Sequence, residues 1–225
     1  MSVYFLASSS ERLYSAGVVP PAGSTLSTFC WFKHTVANGG TIVDIGKYPS
    51  QLDHNKLLVY NSGGVKVGND RVNGGLPSRC LTTTNRTINT WQNGLTLSTA
   101  AVGQVWLNGG GYNSCAVAND MTDMHWIALG AHWVGAWGSY YTGYIAEVAA
   151  WDKLLDAGER AALWAGACPD TVAVGNLKTY LPLRTDWEDK ITSTVLTPNG
   201  TPVITPGDHP IVCGGSPFGP KVQVI

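Results

Sequence analysis

Asparagine–glycine pairs punctuate this chain at Asn38-Gly39, Asn73-Gly74, Asn93-Gly94, Asn108-Gly109 and Asn199-Gly200. Both residue types accept the positive φ that two-residue hairpin turns require. Between them lie short runs rich in β-branched and aromatic residues: Thr41–Gly46, Lys56–Tyr60, Gln104–Leu107 and His125–Leu129. Many short strands joined by Gly-rich turns predict a sandwich or barrel. No β-α-β alternation occurs, which argues against a parallel sheet. The longest predicted strand, Tyr144–Trp151, is apolar on both faces. Strict alternation places Tyr144, Ala146, Val148 and Ala150 on one side and Ile145, Glu147, Ala149 and Trp151 on the other. Such a strand belongs in the middle of a sheet covered twice. Trp31, Val43, Leu58, Trp106, Ile127 and Val148 are the predicted core markers. One helix is predicted over 156–165: Asp156 and Glu159 form a capping box, and Gly166 supplies the left-handed stop.

The 225 residues suit one large β domain. Only 13% are charged and the net charge is −1, so the basic stripe of a nucleic-acid binder is missing. A 44% hydrophobic content excludes a disordered chain. No run of about 18 apolar residues exists, so no membrane-spanning helix is expected. The opening Met1–Ala7 lacks the basic region of a secretory signal, and folding in a cytoplasm is the expectation. Few charges on a Gly- and Trp-rich chain imply a surface meant to be covered. The five cysteines, Cys30, Cys80, Cys115, Cys168 and Cys213, show no C-x-x-C spacing. They are expected to be small buried hydrophobes rather than a disulfide framework.

Beyond residue 197 the composition changes. Pro198, Pro202, Pro206, Pro210, Pro217 and Pro220 recur among glycines, which excludes helix and central strand. The reading is a domain over 1–197 and an extended arm over 198–225. Val222, Val224 and Ile225 alternate like one face of a strand, and are expected to dock, onto the chain's own sheet or onto a partner subunit.

Three stretches resemble laminin-G-like, concanavalin-A-like jelly-roll domains. They are Phe5–Leu13 followed by Thr28–Lys33; Trp91 with Leu95–Thr99 and Val105–Gly109; and Ile127–Gly130, Gly143–Trp151, Leu155 and Glu159. Asn176–Leu183 is similar to a strand that often closes such domains. The resemblance implies an all-β, two-sheet antiparallel jelly-roll sandwich with one short peripheral helix. Sequences of this style are similar to virion components of tailed bacteriophages. The fold hosts hydrolases, lectins and structural parts alike, so function rests on sites.

Glycoside hydrolysis needs two carboxyl groups about 5–9.5 Å apart. Glu11, Glu147, Glu159 and Glu188 are the only glutamates; no Glu-x-Asp-x-Glu strand occurs, and Asp186 and Asp189, which flank Trp187-Glu188, fall in a predicted loop. Glu147 is better read as a structural glutamate bonding backbone or an arginine. No Gly-x-Ser-x-Gly elbow and no His-x-x-x-His pair appears among His34, His54, His125, His132 and His209. Calcium-type oxygen ligands could come from Asp44, Asp53, Asp120 and Asp123, with Asp120 and Asp123 the best cluster; an Asx turn capped by its own side chains is the favoured reading of that pair. No cofactor is therefore expected. His132–Tyr141 holds Trp133, Trp137, Tyr140 and Tyr141 beside His132. It can be a glycan platform, a protein interface, or a loop folded back over the sandwich.

Together these residues point to a non-enzymatic module. The first expectation is a virion head-decoration or tail protein that contacts other virion proteins, is homo-oligomeric and adheres weakly to host glycans. The alternative is a lectin-like module at a bacterial surface, and a glycan hydrolase has least support.

Overall fold

A computed structural model describes residues 2–15, 24–46, 53–60, 66–73, 76–116, 124–133, 136–206, 210–211 and 213. The strands, in chain order, are β1 (Ser2–Phe5), β2 (Arg12–Ser15), β3 (Thr25–His34), β4 (Gly40–Gly46), β5 (Asp53–Tyr60) and β6 (Lys66–Asn73). There follow β7 (Leu76–Asn85), β8 (Gln92–Thr99), β9 (Val102–Leu107), β10 (Gly110–Ala116), β11 (Trp126–Leu129), β12 (His132–Trp133) and β13 (Trp137–Gly138). Then come β14 (Gly143–Trp151), α1 (Ala157–Trp164), β15 (Leu177–Leu181), β16 (Thr197–Asn199) and β17 (Val203–Thr205).

Two large antiparallel sheets form the sandwich. The first runs β10-β9-β8-β3-β14-β1-β17, with β15 also paired to β14; the second runs β16-β2-β11-β4-β5-β6-β7. Their facing sides share one core, drawn from Phe5, Phe32, Ile145 and Val148 on one sheet and Leu13, Ile45, Leu57 and Ile127 on the other. A second apolar cluster lies on the outer side of the first sheet. There Phe29, Leu95, Trp106 and Trp151 pack with Leu155 and Leu163 at α1. Covered on both faces, β14 is the central strand that its doubly apolar sequence requires. The helix is capped as expected: Asp156 accepts from the Glu159 N–H, the Glu159 carboxylate accepts from the Asp156 N–H, and Gly166 follows at φ +91°.

Four sequence expectations are corrected. Strict alternation fails along β14, because a bulge sits between Ala146 and Ala149 and Glu147 adopts φ +51°. The extra residue flips the pattern, so Ile145 and Val148 both face the main core. Asn93-Gly94 is not a turn but lies within β8, where a side chain on Gly94 would come within 3.1 Å of Leu57 from the opposite sheet. Asn108-Gly109, with φ values of 51° and 72°, does make the tight turn between β9 and β10.

Four of the five cysteines are paired, Cys80 with Cys115 and Cys168 with Cys213, each with Cα atoms 5.5 Å apart. Only Cys30 is a free buried thiol. The members of each pair are 35 and 45 residues apart in sequence and are brought together only by the tertiary fold, which sequence spacing does not reveal. Cys80–Cys115 ties β7 of the second sheet to β10 of the first. The opposite flank is closed by the segment expected to start a separate arm: β16 pairs with β2, and β17 pairs with β1. The boundary after 197 therefore falls inside a strand. Pro198, Pro202 and Pro206 blunt both outer edges. Cys213, bonded to Cys168, holds the chain against the sandwich beyond β17. Val222, Val224 and Ile225 lie outside the described residues, as do Asp120 and Asp123.

Candidate functional site

The outer face of the second sheet carries no helix among the described residues. Strand register builds a single cross-sheet row there: Tyr14 on β2, Ala128 on β11, Asp44 on β4, Lys56 on β5, Asp70 on β6 and Arg79 on β7 stand opposite one another in turn. From Asp44 to Arg79 the charges alternate. The neighbouring row holds Trp126, Gly46 and His54. Gly46 has no side chain, so the Trp126 and His54 rings meet above it, 5.9 Å apart and edge to face.

The aromatic segment returns over this face as a two-stranded hairpin, β12 paired with β13. Its partners are polar below and aromatic above. The Trp133 N–H points at Asp44 Oδ2 at 3.4 Å, while Asp44 Oδ1 accepts from His54 Nδ1 at 3.1 Å. His132 Nδ1 and the Thr41 hydroxyl are 3.2 Å apart. Burial, aided by the charge of Lys56 and only partly offset by Asp44, lowers the His132 imidazole to about 4, so it is neutral at pH 7. Above, Trp137 contacts Trp133 at 5.3 Å, Trp126 at 5.9 Å and Tyr14 at 5.2 Å. The Arg12 guanidinium lies 4.3 Å from the Trp137 ring centre. Buried polar groups thus fix the hairpin on the sheet, and its two tryptophans are half-buried and held by neighbouring rings.

The predicted aromatic set divides. His132, Trp133 and Trp137 belong to this assembly, and Tyr140 is half-buried just after it. Tyr141 does not belong: it is fully buried and stacks on His34 at 4.8 Å. It is a core residue because it follows the point where the chain re-enters the sandwich toward β14. Arg12, Tyr14, His54, Lys56, Asp70 and Trp126 were not singled out as site residues by sequence reasoning. Their signal is polar or aromatic residues at alternate positions of strands that are otherwise apolar, but the register that aligns them is set only by folding.

Glu147 has the structural role expected of it. It is fully buried; Oε1 accepts from Arg184 Nε and Nη2 at 2.9 and 2.7 Å, and Oε2 accepts from the Tyr180 hydroxyl. Of the calcium candidates, Asp44 is engaged by His54 and the Trp133 backbone. Among the described residues, no group of three or more His, Cys, Asp or Glu is placed to hold a metal ion.

No family model matches the sequence, and no curated protein matches it. Solved structures do match in fold. A heptameric SAP-like pentraxin from Limulus polyphemus superimposes with a TM-score of 0.61 at 12% identity, over 90% of this chain and 93% of the pentraxin. The CBM40 module of the Ruminococcus gnavus IT-sialidase, bound to α2,3-sialyllactose, gives 0.51 at 16% identity, over 63% of this chain and 83% of the module. Tailspike protein 2 from Escherichia coli O157:H7 bacteriophage CAB120 gives 0.55 at 10% identity, over 79% of this chain but 26% of the tailspike. The fold is the laminin-G-like, concanavalin-A-like jelly roll.

Proposed function

We propose that this chain is a carbohydrate-binding module without catalytic activity, carried at the surface of a phage virion. The observation that carries the reading is the rigidly seated pair Trp133 and Trp137 on the helix-free outer face of the second sheet. Flat rings with a polar edge suit the C–H faces of sugars, and a buried polar row that holds them in place lowers the ordering cost of binding. Resemblance in fold to a CBM40 module and to a phage tailspike supports both halves of the proposal. The non-catalytic half rests on how the acids are engaged. A glycosidase needs a carboxylic acid that delivers a proton to the leaving group. Here Glu147 is held by Arg184 and Tyr180, Asp44 by His54 and the Trp133 N–H, and Asp70 by Arg79 at 2.8 Å.

A second reading, docking of another virion protein on the same rings, is favoured by the stacking of Arg12 on Trp137. Arg, Trp and Tyr are the residue types that dominate protein interfaces. A glycan panel read by calorimetry separates the two. Binding should appear, no reducing ends should form, and Trp133→Ala should weaken affinity by about 2 kcal/mol with little loss of thermal stability. Trp137→Ala, which removes a ring with four partners, should lower both. Glycan binding that survives Trp133→Ala, or sugar cleavage, refutes the proposal; capture of a virion protein in place of any sugar moves the rings to the second reading.

A further inference from the structure

Beneath the hairpin, burial leaves a ligand little charge to meet. Asp44, Lys56 and Asp70 are buried and alternate in sign along the row, and Arg79 is set against Asp70. Arg12, at the edge of the aromatic assembly, differs. It stands on β2 two residues before Tyr14, on the same outer face. Its guanidinium lies 4.3 Å from the Trp137 ring centre and 6.0 Å from that of Tyr14. Nη1 donates to the Ser10 carbonyl at 3.1 Å, and Nε is sealed from solvent. Nη2 is neither sealed nor bonded among the described residues, so it is the edge that Arg12 turns to solvent. No described carboxylate pairs with it. The acid next to it in the chain, Glu11, is engaged elsewhere: Oε2 accepts from the Leu6 N–H at 2.7 Å and Oε1 from the Thr201 hydroxyl at 3.2 Å.

A guanidinium is a permanent cation, and one that stacks on a ring keeps its in-plane N–H groups pointing outward, where they suit an anionic oxygen. Strand pairing adds polar groups beside it. Thr197 and Asn199 of β16 stand opposite Tyr14 and Arg12, and both are exposed. Trp137 touches Arg12 on one side and Trp133 on the other, so it fixes the distance between the charge and the second ring. A neutral sugar against Trp133 would leave this cation without a counter-charge. We infer that the site takes an acidic saccharide, whose ring lies against Trp133 while its carboxylate or sulfate group accepts from Arg12 Nη2. Arg12 is thus the specificity-determining residue. This rests on the glycan-binding reading above and narrows it.

The test uses the full chain at pH 7 against sugars matched in shape and differing in charge: oligogalacturonate and its methyl ester, sialyllactose and lactose, and a galactan oligosaccharide with and without sulfate esters. At least one acidic member should bind about tenfold or more tighter than its neutral counterpart, and raising salt from about 50 to about 500 mM should weaken that binding several-fold. Arg12→Gln, which removes the charge, should abolish the preference. Asn199→Asp, an exposed change that sets a carboxylate across the strand pair from Arg12, should weaken acidic binding about tenfold and leave neutral sugars unaffected. Melting temperatures show whether each variant is folded; if Arg12→Gln is not, Asn199→Asp decides. Binding that depends on Trp133 but is equal for charged and neutral partners, or acidic binding that is unchanged in the folded variants, overturns this inference and leaves the glycan reading standing. A chain that binds none of these sugars overturns both.

Discussion

Removing Arg184 takes the guanidinium away from the buried Glu147 carboxylate, and the size of the penalty follows from the geometry. Glu147 is fully buried at the β14 bulge, whereas the Arg184 side chain is 29% exposed. Truncation in Arg184→Ala deletes both guanidinium contacts to Oε1, while the Tyr180 hydroxyl still donates to Oε2. It also removes the bond from Arg184 Nη1 to the Cys213 carbonyl. Breaking a buried ion pair from one side costs about 3–5 kcal/mol. The remaining hydroxyl and the partial exposure of Arg184 place this case near 3 kcal/mol, or roughly 6–12 °C in melting temperature for a domain of this size. Glu147→Gln removes the charge but keeps the shape, so adding it to Arg184→Ala should restore part of the loss. Urea unfolding of the two single variants and the double variant, at pH 7 with disulfides intact, measures the coupling. If Arg184→Ala costs under about 1 kcal/mol, or if the double variant loses the sum of the singles, the pair does not hold the bulge and the reasoning fails.

Acid should destabilise the fold through His34. Burial, with the nearby charge of Arg86, lowers its pKa from 6.5 to about 3, so the unfolded chain binds the proton first. Stability is complete above about pH 6.5 and is lost as pH falls toward 3, by about 2 kcal/mol at pH 5. His34→Phe, which keeps the stack on Tyr141, should flatten that slope in denaturant titrations from pH 7 to 5; an unchanged slope assigns it elsewhere. Thiol titration of the denatured chain should find one reactive cysteine before reduction, Cys30, and five after it. Cys80→Ser with Cys115→Ser should lower stability by about 4 kcal/mol from the opened 35-residue loop. Five thiols without reductant would remove both bridges from the account.

What the sequence made legible is what neighbouring residues decide among themselves. Asn108-Gly109 turns because both residues accept left-handed backbone, and α1 begins at Asp156 because Glu159 completes its cap three residues later. The same local logic fails where a partner distant in sequence decides. Asn93-Gly94 has the same two letters as Asn108-Gly109, yet Gly94 is there to let β8 pass Leu57 of the facing sheet. Glu147 breaks the alternation of β14 because its carboxylate is held by Tyr180 and Arg184, more than thirty residues on. The candidate site is the extreme case. Its row takes one residue from each of four successive strands, at positions 44, 56, 70 and 79, and a one-residue slip in any pairing would turn that residue into the core. The aromatic hairpin was visible because its rings are contiguous in the chain. The polar row beneath it was not, because Asp44, Lys56, Asp70 and Arg79 become neighbours only when β4 to β7 pair.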